Sequence, residues 1–214
     1  MAWLMRAPEH CGAWVWELKK YAPPGVENAL VVAERVMRVL EKWRLHTPHA
    51  LSFDWYAEAG GGTGFSSQLA LKLPVAAQSV AERIEGARPV GISGGEVGDI
   101  TIHGYGEWID EEGTAHPESN LIELITSPDP TGLSIEIAVF HDVWMTHDYF
   151  GRPHPVLHQR NAPRLAAALE EIDGLFGVAA MPGEPTYFGV AEGYEIAKPD
   201  LDGDGFGPNL TDKM

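Results

Sequence analysis

The chain has 214 residues, 44% of them hydrophobic, a composition typical of a globular protein rather than of a disordered one. Lys and Arg number 15 and Asp and Glu 31, so the formal charge is −16 and direct binding to nucleic acid or an anionic membrane is not expected. A single cysteine, Cys11, excludes an internal disulfide. No apolar run is long enough for a membrane helix or resembles an export signal, so we expect a cytoplasmic location.

The N-terminal part of the chain predicts a strand followed by an amphipathic helix. The apolar residues alternate over 14–18 and would share one face of a strand. The same residues are also compatible with a short helical segment before the next element. Apolar residues then recur at three- and four-residue steps from Val26 to Trp43, which is the pattern of a helix with one buried face. Thr47 and Pro48 would end this helix.

Three shorter elements and a glycine-rich connection are predicted next. Residues 51–56 favour a short strand, and the glycine-rich residues 59–67 favour a flexible connection. A phosphate-binding loop is disfavoured there because no lysine follows the glycines. The alternation of leucines over 69–73 indicates a second strand, and residues 75–84 indicate a short helix with Val80 and Ile84 facing inward.

The centre of the chain predicts an antiparallel meander. From Ile100 to Trp108, the even-numbered residues would share the buried face of a strand. Further strands are predicted over 120–126 and 133–145, and turn-forming residues separate them. Antiparallel pairing is expected because the connections between these strands are short.

A second clear helix is predicted to begin at Asn161, with Pro163 in its first turn and Gly177 as its stop signal. The order of helix, strands and helix predicts an α+β fold, in which a mostly antiparallel sheet carries two main helices on one face. We expect residues 1–214 to form a single domain. Within it, residues 178–214 would be an irregular segment, rich in Gly and Pro, that packs on the rest.

Negative charge is concentrated in the centre of the chain. Residues 89–151 contain 12 acidic residues and no Lys or Arg. Solubility alone could account for such acidity, but an acidic surface on the sheet would also attract a basic protein partner. The predicted partner-binding residues are Glu107, Asp110, Glu111, Glu112, Glu118, Glu123 and Glu136.

A group of histidines provides candidate metal ligands. His141, His147, His154 and His158 lie close in sequence to Asp142 and Asp148, and imidazole with carboxylate suits zinc or iron. A metal-dependent enzyme that uses this cluster is therefore one alternative function. In a continuous strand, however, His141 and His147 would lie about 20 Å apart, too far for both to bind one ion.

A second candidate metal site lies near the C-terminal end. Asp200, Asp202 and Asp204, followed by Gly205, resemble the first half of an EF-hand calcium loop. The resemblance stops in the second half, where Thr211 stands in place of the bidentate glutamate. Apart from the alternative of a metal at the histidine cluster, calcium is the only cofactor considered, and otherwise none is expected.

Three stretches within residues 140–214 carry a family resemblance. Asp142-Val143-Trp144, Asn161-Ala162-Pro163-Arg164-Leu165 and Pro182-Gly183-Glu184-Pro185-Thr186 resemble uncharacterised actinobacterial proteins encoded near secreted toxins. This resemblance covers about a third of the chain and implies an immunity or interaction protein, without assigning catalytic residues. We therefore expect a non-enzymatic binding protein, above all an immunity-type inhibitor of a basic toxin such as a nuclease. A structural or small-ligand-binding domain is a further alternative.

Overall fold

The computed structural model of the chain describes residues 4–57, 61–72, 76–91 and 94–214. In these ranges it contains three α-helices, namely α1 (Val26–Lys42), α2 (Ala77–Gly86) and α3 (Pro155–Phe176). The strands of the same ranges are β1 (Gly12–Glu17), β2 (Thr47–Tyr56), β3 (Gly62–Ala70), β4 (Glu96–Ile109), β5 (Ala115–Ser119), β6 (Glu123–Ser127), β7 (Ser134–Val139), β8 (Met181–Pro182), β9 (Ala191–Glu192) and β10 (Glu195–Ile196). The expected α+β architecture is confirmed. None of the described helices is long and apolar enough to cross a membrane.

Eight of the described strands form one antiparallel sheet. Its order is β3-β2-β4-β6-β7-β1-β8, and β5 pairs with the last part of β4. The N-terminal strand β1 is inserted between β7 and β8, far from its sequence neighbour β2. Strands β9 and β10 form a separate two-stranded ladder.

The three helices cover one face of this sheet. Along β4 the even-numbered residues from Ile100 to Trp108 are buried, as the alternation predicts. Their neighbours on β6 and β7 include Leu124 and Ile137, and the inner face of α1 packs on the same cluster. The opposite face remains open, and Thr101, Ile125 and Glu136 form part of one row across it.

The glycine-rich segment differs from its prediction. Residues 62–67 belong to strand β3 rather than to a flexible connection, and β3 ends at Ala70. The hydroxyl of Thr63 explains part of this, since it donates to the carbonyl of Trp55 at 2.6 Å and accepts the N–H of Phe65 at 3.2 Å. The first bond ties the irregular start of β3 to β2, and the second lies within β3. Residues 58–60 and 73–75, on which parts of these predictions fall, lie outside the described residues.

Two boundaries in the C-terminal half also differ from prediction. Strand β7 ends at Val139, and a 3-10 turn over Asp142–Trp144 replaces the rest of the predicted strand. Helix α3 begins at Pro155 instead of Asn161, because Pro155 supplies the first helical position and Asn161 is buried inside the helix. The predicted stop at Gly177 is confirmed, with the glycine in the left-handed conformation at φ 65°.

The segment after α3 follows the surface of the fold with little regular structure. Phe188 is buried and meets the ring of Tyr149 edge-on, with centroids 5.4 Å apart. The hydroxyl of Tyr194 donates to Asp173 of α3 at 2.6 Å. Further along, the N–H of Leu210 donates to the carbonyl of Tyr149 at 2.8 Å. Aromatic packing and these hydrogen bonds hold the segment against α3 and the loop that carries Tyr149.

Candidate functional site

An acidic cleft lies between the N-terminus of α1, the outer face of α2 and the start of β4. Its volume is about 740 Å³. Four glutamates line it, with Glu27 coming from α1, Glu82 and Glu85 from α2, and Glu96 from β4. Arg88 is the one cationic residue among the described lining residues, and its guanidinium donates to Glu85 at 2.6 Å. The cleft is therefore net negative.

The floor of this acidic cleft is apolar. Val26, Ala81, Val97, Pro128 and Pro130 line it between the glutamates. Such a combination suits a lysine or arginine side chain, because its aliphatic stem can pack on the floor while its charged end stays near the carboxylates. Concavity, apolar contact area and negative charge are thus combined in one place.

A smaller cleft adjoins the acidic cleft and continues its charge. It has a volume of about 290 Å³ and shares Glu96 with its larger neighbour. Asp99 and Asp129 add two carboxylates to its lining. Hydrogen bonds from Thr131 lower the pKa of Asp129, which therefore stays ionised at neutral pH. The two clefts together present six carboxylates at one end of the molecule.

Local structure places these side chains. Helix α2 buries Val80 and Ile84, so Glu82 and Glu85 lie on the side of the helix that faces away from the core. The start of α1 is held by Gly25, whose N–H donates to the carbonyl of Pro128 at 3.2 Å. That hydrogen bond joins α1 to the turn between β6 and β7 and thereby closes one wall of the cleft.

The seven acids predicted to bind a partner do not come together in the structure. Glu107, Asp110, Glu111, Glu112 and Glu118 lie on or beside the hairpin of β4 and β5, whereas Glu123 and Glu136 lie on the open sheet face. This hairpin is at the opposite end of β4 from Glu96, roughly 40 Å away at about 3.3 Å per residue. Their role in binding stays a prediction.

Basic side chains from elsewhere in the chain and from β5 itself contact the acidic residues of the hairpin. Arg44 pairs with Glu107 at 3.3 Å, and His116 pairs with Asp110 at 2.7 Å. The hydrogen bond from His116 is the main cause of a lowered pKa for Asp110. Arg164 of α3 donates to the backbone carbonyl of Glu107 at 2.8 Å. Arg44 and Arg164 therefore partly offset the acidity of the hairpin.

The two predicted acids on the open face differ in their surroundings. Glu123 pairs with Arg6 at 2.7 Å. Burial raises the pKa of Glu136, and the carboxylates of Asp99 and Glu123 raise it further, while His10 acts in the opposite direction. Glu136 therefore carries its negative charge less readily than an exposed glutamate does.

Two of the four histidines predicted as metal ligands are engaged in separate hydrogen bonds. The ring of His147 contacts the hydroxyl of Thr146 and the carbonyl of Gly205, and the ring of His154 contacts the carbonyl of Met145. Burial lowers the pKa of His141 to about 4. His158 lies on α3 and is half-buried. In the part of the chain that the structure describes, no three His, Cys, Asp or Glu side chains are grouped to hold a metal ion.

The calcium candidate forms a loop stabilised by its own carboxylate. Oδ1 of Asp202 accepts the N–H groups of Asp204 and Phe206 at 2.9 and 2.8 Å. Gly205 has φ 84°, the left-handed conformation that allows this tight turn. Asp202 thus has a structural role in the turn, and calcium binding by Asp200, Asp202 and Asp204 stays a prediction.

Comparison with protein-family models, with curated proteins and with solved structures found no match to this chain. Two of the three stretches that carry the resemblance to toxin-associated proteins are mostly buried, whereas residues 182–186 are exposed or half-buried. Asp142, Val143, Trp144 and Asn161 are all buried. Those residues therefore support the fold and do not form a surface that a partner could recognise.

Sequence reasoning missed the acidic cleft for an identifiable reason. Glu27, Glu82 and Glu85 belong to residues 1–88, where 10 basic residues balance 9 acidic ones. Because the basic and acidic residues of this segment nearly balance, its net charge does not indicate an acidic site. The one indication in the sequence was the predicted burial of Val80 and Ile84, which places Glu82 and Glu85 on the outer side of α2.

Proposed function

We propose that this protein is a non-enzymatic binding protein that docks a basic segment of a protein partner in the acidic cleft between α1 and α2. The observation that carries the proposal is the convergence of four glutamates from three elements on one cleft of about 740 Å³ with an apolar floor. Electrostatic attraction would speed association with a cationic partner, and the apolar floor would add contact area.

The acidic cleft is favoured over the β4–β5 hairpin as the docking site. At the hairpin, Glu107 and Asp110 already have Arg44 and His116 as partners. In the cleft, Glu27, Glu82 and Glu96 are exposed, and the nearby Arg88 pairs with Glu85 instead. Glu111, Glu112 and Glu118 of the hairpin form no ion pair within the described residues either, so what favours the cleft is its concave lining with apolar side chains.

The resemblance of residues 140–214 narrows the proposal to an immunity-type inhibitor that acts in the cytoplasm on a basic toxin such as a nuclease. Co-expression with the product of the adjacent gene, followed by purification at low and at high salt, tests this narrower form. Retention and inhibition of a basic nuclease at low salt would support it. A product that is not retained at either salt concentration would contradict it.

The docking site itself is tested with a short arginine-rich peptide and isothermal titration calorimetry. The double variant Glu82→Gln/Glu96→Gln removes two charges from the cleft while preserving the size of both side chains. We expect the dissociation constant for the peptide to rise about tenfold, equivalent to about 1.4 kcal/mol. Increasing salt should weaken binding to the unmodified protein.

The matched control is Glu111→Gln/Glu112→Gln, which removes the same net charge from the hairpin. We expect this control to change the dissociation constant less than twofold. Equal losses in the two double variants would mean that the peptide responds only to overall charge, and the proposal would be wrong. If the control substitutions weakened peptide binding more than Glu82→Gln/Glu96→Gln does, the peptide would bind at the hairpin and not in the cleft.

A further inference from the structure

Strand β3 is an unusual edge of the sheet. It has nine residues, and none of them is charged or a proline. Within the described residues β3 pairs only with β2, so one side of its backbone has no neighbouring strand. Phe65, near its middle, is 56% exposed. Long uncharged edge strands are rare in monomeric proteins because they pair readily with other chains.

The other edges of the same sheet are protected. Strand β8 has two residues, of which one is Pro182. Strand β5 has five residues, with Pro117 at its centre and Glu118 beside it. Short length, proline and charge are the usual devices that prevent edge pairing, and β3 has none of them.

The backbone groups available on β3 follow from its register. The N–H of Leu71 donates to the carbonyl of His49 at 2.8 Å, so in this antiparallel pair alternate residues direct their polar groups toward β2. Ser66, Gln68 and Ala70 therefore direct theirs away from the sheet. Arg83 already donates to the carbonyl of Ala70 at 3.0 Å, which leaves Ser66 and Gln68 at the centre of the free edge.

We propose that β3 pairs with β3 of a second copy of this chain, in antiparallel orientation about Ser66, to form a sheet that continues across a two-fold axis. Ser66 then faces Ser66 of the second copy, and Gln68 faces Gly64. The backbone groups of Ser66 point outward in each copy, so the two strands can exchange hydrogen bonds at the axis. Gly64 lies in the irregular part of β3, where the register with β2 shifts.

The side chains of β3 fit this self-pairing. Leu69 lies opposite Leu51 in β2, and because Leu51 is buried under the helices, the odd-numbered residues of β3 face the helix side. Phe65 would lie opposite Ser67 of the second copy and diagonal to its Phe65 and Leu69. Diagonal neighbours in a sheet are within reach of aromatic side chains. The exposed ring would thereby become part of a small apolar contact.

Charge also favours a second copy over the basic partner as the occupant of this edge. A strand without charged residues gives a cationic segment nothing to attract it, whereas two chains of charge −16 can approach there without repulsion between the strands themselves. Stable interfaces bury about 1,200–2,000 Å² in total. A ladder of nine residues buries less, so we expect a weak, concentration-dependent dimer.

Sedimentation velocity over increasing protein concentration tests this pairing. We expect monomer at low concentration, dimer at high concentration, and a tighter dimer at high salt because salt screens the repulsion between the copies. Ser66→Pro removes the central outward N–H without removing a hydrogen bond to β2, and Phe65→Glu places two carboxylates at the axis. Each variant should weaken the dimer at least tenfold.

Phe206→Glu is the matched control for Phe65→Glu. It makes the same change in net charge at another exposed phenylalanine, one that is 45% exposed. We expect it to leave the dimer within twofold of the unmodified protein, and circular dichroism verifies that all variants fold. A protein that stays monomeric at every concentration and salt, or a dimer that neither β3 variant weakens, would overturn the proposal.

Discussion

Asp142 is a buried carboxyl group with an unusual proton affinity. One oxygen, Oδ1, accepts the N–H of Met5 at 3.1 Å, and the side chain is fully buried. Burial raises its pKa from 3.8 to about 7, and the nearby Asp148 adds to the shift. The folded protein therefore holds a proton on Asp142 over a pH range in which the unfolded chain has lost it.

We expect this proton to make stability depend on pH. Between the two pKa values the folded state binds more protons, so the free energy of unfolding falls as pH rises, by at most about 1.4 kcal/mol per pH unit. Asp142→Asn keeps an oxygen acceptor for Met5 and cannot titrate. Urea unfolding near pH 5 and near pH 8 measures the free energy of unfolding of both proteins. Relative to the unmodified protein, Asp142→Asn should be more stable at pH 8 than at pH 5.

The comparison between the two proteins separates Asp142 from other buried groups. Burial lowers the pKa values of His46 and His141 to about 4, so both histidines reduce stability as pH falls below 6.5. The histidines lower the free energy of unfolding equally in the unmodified protein and in Asp142→Asn. Their effect therefore cancels when the two proteins are compared at the same pH. An effect of Asp142→Asn that is the same at both pH values would show that Asp142 does not titrate in this range.

Asn161 joins α3 to the end of β4 with both ends of its amide. Its Oδ1 accepts the N–H of Ile109 and its Nδ2 donates to the carbonyl of Ile109, both at 2.8 Å. Asn161→Ala would leave these backbone groups without their partner, and we expect a loss of about 2–3 kcal/mol in the free energy of unfolding. Urea denaturation measures it. The exposed Asn209→Ala, which loses only solvent-accessible hydrogen bonds from Thr211, should cost less than about 1 kcal/mol, and similar losses for both substitutions would contradict this role.

At the scale of elements, β4 passes close to the chain that follows α1. A Cβ atom added at Gly106 would lie 2.2 Å from the backbone oxygen of Leu45, a contact that only backbone movement can relieve. We expect Gly106→Ala to lower the free energy of unfolding by about 2 kcal/mol or more. Thermal unfolding followed by circular dichroism provides the measurement.

A glycine in a helix with free space supplies the control for this prediction. Apart from its chain neighbours and the surrounding backbone of α3, no atom lies within 4 Å of a Cβ added at Gly174. Gly174→Ala should therefore be neutral or stabilising by up to about 1 kcal/mol, since alanine favours the helix. If both substitutions had the same effect on the melting temperature, the close approach of β4 to Leu45 would not limit stability.

Elements whose pattern is local could be predicted, and those decided by distant contacts could not. The repeat over α1 and the alternation over β4 reflect burial on one face, which the sequence encodes directly. Strand β3 depends on the Thr63 hydroxyl reaching Trp55, and the interior position of Asn161 depends on Ile109, which is 52 residues away. No local pattern carries such information.

At the scale of the whole molecule, the fold redistributes the acidic centre of the sequence. Glu96 and the hairpin acids are close in sequence but lie at opposite ends of β4. Asp142 is buried, and it contributes nothing to a surface. The acidic cleft instead combines Glu96 with residues of α1 and α2. Charge counting therefore detected the excess of acid, whereas the position of that acid required the tertiary structure.

Salt should act oppositely on the two proposed associations. Binding of an arginine-rich peptide in the acidic cleft should weaken as salt screens attraction, and self-pairing of β3 should strengthen as salt screens repulsion. Calorimetry and sedimentation over one salt series provide the comparison. If salt changed both affinities in the same direction, at least one of the two associations would not depend on charge in the way proposed.

The docking of a basic segment in the acidic cleft is tested most directly by mapping the amide chemical shifts of the protein during titration with the arginine-rich peptide. The account predicts that the largest changes occur at Glu27, Glu82, Glu85 and Glu96, with small changes at Glu111 and Glu112. Largest changes on the β4–β5 hairpin, or changes spread evenly over all acidic surfaces, would contradict it.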